Sequence, residues 1–382
     1  MKLVIFSSAE TALEPRLFSK VGRSAAAAGW NVILIAQYKH PEVRNGINIK
    51  PVPMWRSRLA RFILGAPITF LKALKEKTDI YQFSDPELIP FALLLQFLAN
   101  RPVVYDLREY HAERIMEKFW IPGPLKVPLA GAYDLMERLA MKLLAGVVAV
   151  NADLAQKRRN GPVAVVPNYP PKDFIAAVSS GSSSQIGARY QGRRVILFLG
   201  GISQDRGALV AVHAMVKVKQ HVPDAVLVFV GPVHEPAFEQ ELRKAIGLLG
   251  VENVVELIGL VPYEEVVSYL QIANVGLTLL QSSTHRHAKA EPIKFFEYAA
   301  AGIPQVVSDL PALHRLVERI GNGILVDASD ENQVAEAMIR LLLDQDLATS
   351  MGQRGREAVL SEYNWEAAFT RLHALYKQII QR

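Results

Sequence analysis

The sequence predicts an α/β fold of two parallel-sheet, Rossmann-like domains, and three observations predict it. The chain has 382 residues, long for one hydrophobic core and suited to two domains of ordinary size. An apolar run at residues 2–7, a helical pattern at 15–29 and a second apolar run at 30–37 form a strand–helix–strand unit that opens such a domain. The pattern restarts at residues 195–199, 208–220 and 225–230, after a small, polar stretch at 178–184 that reads as a linker. The expected division is a first domain over 1–172, a linker over 173–192 and a second domain over 193–363.

Composition narrows the class. Half of the residues are hydrophobic, so two cores are easily built. Cysteine is absent, which removes disulfides, thiolate metal sites and a Cys nucleophile and fits a reducing, cytoplasmic compartment. The start, MKLVIFSSAE, is too short an apolar run for a signal peptide and reads as a first strand. The richest apolar stretch, 89–99, falls well short of the about 20 residues of a membrane span. The net charge of +6 is uneven: residues 1–172 hold 24 Lys+Arg and 14 Asp+Glu, the remainder 19 and 23. A first half at +10 and a second at −4 suggests that the first half meets an anionic surface.

In the first half, no Gly-x-Gly-x-x-Gly follows the first strand, so a dinucleotide site is not expected there. Residues 55–77 interleave Arg56, Arg58 and Arg61 with Trp55, Leu59, Phe62, Ile63 and Leu64. Two readings stand: an interfacial segment on an anionic bilayer, or a helix packed on the sheet with snorkelling arginines. Strands are expected at 79–83 and 102–106, each followed by a polar cluster: Asp85 and Glu87 after the first; Arg108, Glu109 and His111 after the second, with Asp106 at its end. In an open α/β sheet, ligands bind beyond the carboxyl ends of strands, so these are candidate ligand-binding residues; a turn or cap role for Asp85 before Pro86 is the alternative. A strand at 147–151, a short helix at 153–159 and a strand at 163–166 complete the half.

In the second half, the loop Gly200-Gly201-Ile202-Ser203-Gln204-Asp205-Arg206-Gly207 separates a strand from a helix. The glycines permit close backbone approach to a phosphate, and the helix start and Arg206 add positive charge. Strands at 225–230, 254–257 and 274–280 follow, with the turn Gly259-Leu260-Val261 leading into a helix at 263–271. The polar loop 281–289 carries His285, Arg286 and His287; a His-x-His pair with no third ligand placed does not make a metal site, so none is expected. Residues 290–309, AEPIKFFEYAAAGIPQVVSD, read as helix, tight turn and buried strand. Lys294 and Glu297, three apart, share a face near the helix start, where anions are favoured; an ordinary surface helix with an ion pair is the alternative. The tail 364–382 reads as a helix expected to pack back on the first domain.

The segment PIKFFEYAAAGIPQVVSD resembles the donor-site motif P-x-K-x-F-E-Y-x-x-x-G-x-P-x-V of retaining family 4 glycosyltransferases, agreeing at Pro292, Lys294, Phe296, Glu297, Tyr298, Gly302, Pro304 and Val306. The loop at 200–207 is similar to the family's G-x-x-x-x-x-K-G with Arg206 at the lysine, and YQFSDPELIPFALLL and VVYDLREYHAE look like a bacterial polysaccharide branch. The resemblance implies the GT-B fold, two Rossmann-like domains whose parallel sheets face an interdomain cleft, and sugar transfer from a nucleoside-diphosphate sugar to a glycan or polyprenyl-linked acceptor, with neither cofactor nor metal and no nucleic-acid partner. It implies catalytic roles for Arg206, Lys294 and Glu297. Donor contacts would come from Gly200, Gly201, Gly259, Leu260, Val261, His285, Glu291, Pro292 and Ile293. Acceptor contacts would come from Asp85, Glu87, Asp106, Arg108, Glu109 and His111. With the basic first half, it implies peripheral placement on the inner face of the cytoplasmic membrane. The chain departs from the family where Lys289 replaces a first motif glutamate, where Gly201 replaces a frequent arginine, and where Gln82, Ser84 and Arg108 replace histidines. Those departures keep two other readings open: a partner subunit that binds nucleotide sugar without turnover, and a nucleotide-sugar epimerase of the same fold.

Overall fold

The computed structural model of the protein describes residues 1–55, 57–118, 121–158, 160–180 and 185–382. They divide into two compact units, Met1–Asn168 with Trp365–Arg382, and Tyr169–Asn364. The chain thus crosses between units at 168–169, earlier than the linker expected from its small polar residues. Helices Lys172–Ser179 and Gln185–Arg189 occupy much of that stretch, and Gln271 holds the first by donating from Nε2 to the Ala177 carbonyl (2.9 Å). Residues 181–184 lie outside the described set.

The sheet of the first unit contains β1 (Lys2–Thr11), β2 (Asn31–Gln37), β3 (Glu42–Arg44), β4 (Ile47–Val52), β5 (Ile80–Phe83), β6 (Val103–Leu107), β7 (Gly146–Ala149) and β8 (Val163–Val165), in the order β3-β4-β2-β1-β5-β6-β7-β8. Pairing is parallel except for the β3–β4 hairpin. That hairpin turns at Asn45-Gly46, both with positive φ (51° and 76°), as a primed two-residue turn requires. Strands covered on both faces read as largely apolar runs, and the first half of β1, β2 and most of β5–β7 are Val, Ile, Leu, Ala and aromatic residues. Helix Trp365–Ile380 completes this unit: Trp365 Nε1 donates to Ser24 Oγ (2.8 Å), and Tyr376 donates its hydroxyl to Gln82 Oε1. A Cβ on Gly146 would stand 2.4 Å from Ile379 Cδ1, so the bare glycine lets this helix approach β7. Residues 58–74 are helical, with Phe70 and Ala73 buried and Leu59, Phe62, Ile63 and Leu64 exposed; Arg56 lies outside the described residues.

The second unit contains β9 (Arg194–Leu199), β10 (Ala225–Val230), β11 (Val255–Gly259), β12 (Ala273–Thr278), β13 (Gln305–Ser308) and β14 (Gly323–Val326), all parallel, in the order β11-β10-β9-β12-β13-β14. The order reverses between β9 and β12, and a doubly wound sheet binds ligands beyond the strand ends at that reversal. Helix Ile293–Ala300 leads into β13 and is buried from Lys294 onward, so it is a core element and not a surface helix. Gly276 of β12 makes room for it: a Cβ there would lie 2.5 Å from Tyr298 Cγ. Helix Gln345–Ser361 packs on its far end at Gly352, where a Cβ would stand 2.0 Å from the Gly302 carbonyl.

Candidate functional site

The loops around the β9/β12 reversal gather most of the second-unit residues that the sequence singles out. β9 runs into Gly200 (φ +93°) and Gly201. Pairing continues past the strands: Gly200 N–H donates to Val230 O (2.9 Å), Gly231 N–H to Gly259 O (2.8 Å) and Ile202 N–H to Pro232 O (2.9 Å). Gly231 (φ +146°) is required there, since a Cβ would stand 2.0 Å from the Gly200 carbonyl. Gly259 therefore serves as the floor of the same array, while Leu260 beyond it is exposed. Gly207 (φ +77°) turns the loop into helix Ala208–His221, and a Cβ there would meet Leu279 O at 2.4 Å.

Helix Ile293–Ala300 presents the charged groups. Its orientation is fixed from below: Tyr298 Oη donates to Leu197 O (2.9 Å) and accepts from Leu199 N–H (2.8 Å), while Gln305 Nε2 donates to Phe295 O (2.9 Å). Pro292 is the extended residue before the first turn, with φ −70° and ψ 140°. Lys294 is only 7% exposed; its Nζ lies 4.2 Å from the centroid of the Phe198 ring and has no hydrogen-bond partner among the described residues. Burial, and then the Arg206 guanidinium, push its pKa down to about 7 against the pull of Glu297 and Asp205. Glu297 is buried on the same helix. Arg206 is half-buried, with Nη1 3.5 Å from Gly201 O. Two cationic groups thus adjoin a glycine loop, an arrangement suited to a diphosphate.

Asp205 was not singled out, although it is the sole acid of the loop 200–207, and that was the available signal. It ties the two loops together: its carbonyl accepts from Gln281 N–H (2.9 Å), and its carboxylate lies 3.7 Å from Arg286 Nη2 and 3.6 Å from His287 Nε2. His287 is buried, donates from Nδ1 to Gln281 O (2.9 Å), and is kept below the usual histidine range by burial. His287 therefore pins the loop. The His285 side chain lies outside the described residues. Glu291 is partly buried, which raises its carboxyl pKa against the pull of Arg315. Lys289 and Ile293 are exposed. Among the described residues no group of three or more His, Cys, Asp or Glu is placed to hold a metal ion.

In the first unit, the candidate residues separate into scaffold and surface. Asp85 is buried and clamps the end of β1, accepting from Ser7 Oγ (2.9 Å), Ser8 N–H (2.6 Å), Ser8 Oγ (3.1 Å) and Ala9 N–H (2.9 Å). Asp106 is fully buried and bonded by Arg16 Nε (2.9 Å) and Nη2 (2.8 Å) and by Arg108 Nε (3.0 Å). Burial opposes its charge, but the two arginines outweigh it and lower its pKa. Arg16, itself buried, is a structural residue that sequence reasoning missed; a lone Arg in a helical pattern gave no signal. Glu87 accepts from Ser8 Oγ (3.1 Å) and pairs with Arg61 Nε (2.8 Å), so Arg61 turns inward; burial raises the Glu87 pKa. Glu10, also missed, is raised by burial and by Glu14 and Asp85. Glu109 pairs with Arg114 at the surface. His111 stacks edge-on to Tyr133 at 5.8 Å, and burial lowers its pKa.

Two doubly wound units, the second with a glycine loop, the half-buried Arg206 and the buried Lys294 at its strand reversal, have the GT-B fold. Residues 181–358 match the family described as Glycosyl transferases group 1. The chain is 27% identical over 181 residues to a GDP-mannose-dependent alpha-(1-6)-phosphatidylinositol monomannoside mannosyltransferase of Mycobacterium tuberculosis, covering 47% of this chain and 46% of that protein. It is 30% identical over 143 residues to a putative colanic acid biosynthesis glycosyltransferase of Salmonella typhimurium, covering 37% and 35%. The chain thus spans about half the length, or less, of these curated relatives. Among solved structures, a sucrose-phosphate synthase of Thermosynechococcus elongatus superposes with a TM-score of 0.74 at 18% identity, over 100% of this chain and 99% of that one. Anabaena HepE in complex with UDP-glucose superposes with a TM-score of 0.71 at 15% identity, over 100% and 98%.

Breaking the Arg16–Asp106 pair leaves a buried guanidinium uncompensated. Asp106→Ala is therefore expected to cost about 3–5 kcal/mol, and Glu109→Ala within about 0.5 kcal/mol; urea unfolding curves distinguish them. The depressed Lys294 pKa gives a second expectation. Between about pH 7 and the ordinary lysine range, the unfolded chain holds a proton that the folded chain has lost. The destabilisation is full below pH 7 and is relieved as pH rises, by at most about 1.4 kcal/mol per pH unit. Lys294→Met should abolish this rise and be at least as stable as the parent at pH 7, read from unfolding at pH 7 and 9.

Proposed function

We propose that the protein is a retaining glycosyltransferase that moves a sugar from a nucleoside-diphosphate sugar to a glycan or lipid-linked glycan acceptor in surface polysaccharide biosynthesis. The observation that carries this reading is Lys294, buried without a hydrogen-bond partner among the described residues beside Arg206 and the glycine loop. A buried cation without a partner is costly, and a diphosphate would relieve that cost and restore its proton. Arg206 and Lys294 would stabilise the negative charge that grows on the departing diphosphate, and Glu297 would accept hydrogen bonds from ribose or sugar hydroxyls. Asp205 is engaged with Arg286 and His287, which favours a front-face route over a carboxylate nucleophile. The bond from the anomeric carbon to phosphate breaks, the bond to the acceptor oxygen forms on the same face, and the leaving phosphate takes the acceptor proton. The UDP and UDP-glucose bound by HepE support a nucleotide-sugar donor. The polar groups beyond β5 and β6 of the first unit, Glu87, Glu109 and His111 with Glu10, would meet the acceptor.

We further propose peripheral attachment to an anionic cytoplasmic membrane face through the first unit. Among the described residues no helix is long and apolar enough to cross a membrane. Leu59, Phe62, Ile63 and Leu64 are exposed, as are Leu135, Leu139 and Leu143 of helix Gly123–Leu143, in a half of the chain carrying +10. Exposed apolar side chains among basic ones suit an interfacial site, each basic residue adding about 1 kcal/mol. Flotation with vesicles checks this: binding to phosphatidylserine-containing vesicles, weakened by Phe62→Ser with Leu64→Ser, is expected, and equal behaviour with neutral vesicles would refute the electrostatic part.

The donor reading is tested by thermal unfolding with UDP-, GDP- and ADP-sugars. A ligand at a hundredfold excess over its dissociation constant stabilises by about 2.7 kcal/mol. One base is expected to raise the unfolding temperature, with the rise lost in Arg206→Ala and Glu297→Ala. No response to any sugar nucleotide in a well-folded protein sinks the reading. Binding without turnover on any acceptor favours the inactive partner subunit, and release of free nucleotide without a new glycosidic bond favours the epimerase.

A further inference from the structure

Gly201 of the phosphate-ready loop carries no side chain over the space where Arg206 points. A Cβ built on it would stand 3.0 Å from Arg206 Nη1 and 3.8 Å from His234 Nε2. Two nitrogen-bearing side chains from different loops therefore converge over one bare glycine. Arg206 comes from the β9 loop itself, and His234 from the segment that follows β10.

The convergence is built into the backbone. Beyond their strands the two loops remain in register, with Ile202 bridging Val233 in parallel and Ile202 N–H donating to Pro232 O (2.9 Å). Gly231 and Gly200 are in contact closer than any side chain would allow, which brings the β10 loop against the β9 loop. His234 is exposed, so its ring is not a core residue. Lys294, nine-tenths buried with its Nζ unpartnered among the described residues, lies close enough to Arg206 for that guanidinium to depress its charge. Two cationic side chains and an imidazole beside a bare glycine offer charge and N–H donors to an anion.

We propose that His234 is a further donor-site residue, whose imidazole N–H binds the diphosphate over Gly201 alongside Arg206. The inference rests on the donor-site reading above and names a contact that the motifs do not include. A neutral imidazole suffices, since Nε2 need only donate a hydrogen bond. Because His234 is the exposed member of the set, it sets affinity for the diphosphate and does not hold the fold.

The test is calorimetric titration of the full chain with UDP, GDP and ADP. His234→Ala is expected to weaken the nucleoside diphosphate that the parent binds by about tenfold, with the unfolding temperature of the free protein unchanged. His234→Gln, which keeps an N–H at similar reach, should recover most of the loss. Gly201→Arg places a guanidinium in the same space, so in that background His234→Ala should have little effect. Affinity in His234→Ala within twofold of the parent overturns the inference and leaves the donor-site reading intact. A parent that binds none of the three nucleotides overturns the donor-site reading, and the inference with it.

Discussion

The attachment of helix Ile293–Ala300 to the second sheet is the constraint on which the site depends. Tyr298 reaches under the helix to bond both the carbonyl of Leu197 and the N–H of Leu199, and it can do so only because Gly276 leaves the space for its ring. Gln305 holds the same helix through Phe295 O and is itself fixed by Thr278 Oγ1 (3.1 Å). Both anchors are buried, where an unmade hydrogen bond would be costly. The helix is thereby oriented from its apolar side, and it carries Lys294 and Glu297 with it.

That rigidity explains how an unfavourable charge arrangement persists. Lys294 sits over the Phe198 ring near a second cation, and its pKa falls accordingly. Cations held in place by the fold put their interaction energy at the disposal of an incoming anion. Asp205 moderates the field without neutralising it, because it is occupied with Arg286 and His287 in joining the two loops.

The first unit uses charge differently. Asp85 and Asp106 are sunk beneath the strand ends, where they order the β1 terminus and the Arg16–Arg108 pair. Glu87 is buried against Ser8 and Arg61, whereas Glu10, Glu109 and His111 are only partly buried. The same switch-point geometry thus supplies buried acids as scaffold and more accessible groups as candidate ligands.

Apolar runs, glycine positions and helix signals were enough to locate most strands and to mark the loop 200–207 and the segment 290–309, because those features act through local backbone physics. The Asn45-Gly46 hairpin was equally legible in principle, since its turn chemistry is local. Burial of charge was not. Nothing near Arg16 in sequence announces a partner 90 residues away, and Asp85 reads identically as a clamp or as a ligand. Likewise His234 and Gly201 are separated by more than a whole strand–helix repeat, and only the pairing of the β9 and β10 loops brings them together. The sequence by itself determined which segments become strands, turns and phosphate-ready loops, for these follow from side-chain periodicity and glycine φ; the tertiary structure alone decided which charges are buried, paired or gathered at the strand ends, because that depends on neighbours that chain order does not specify.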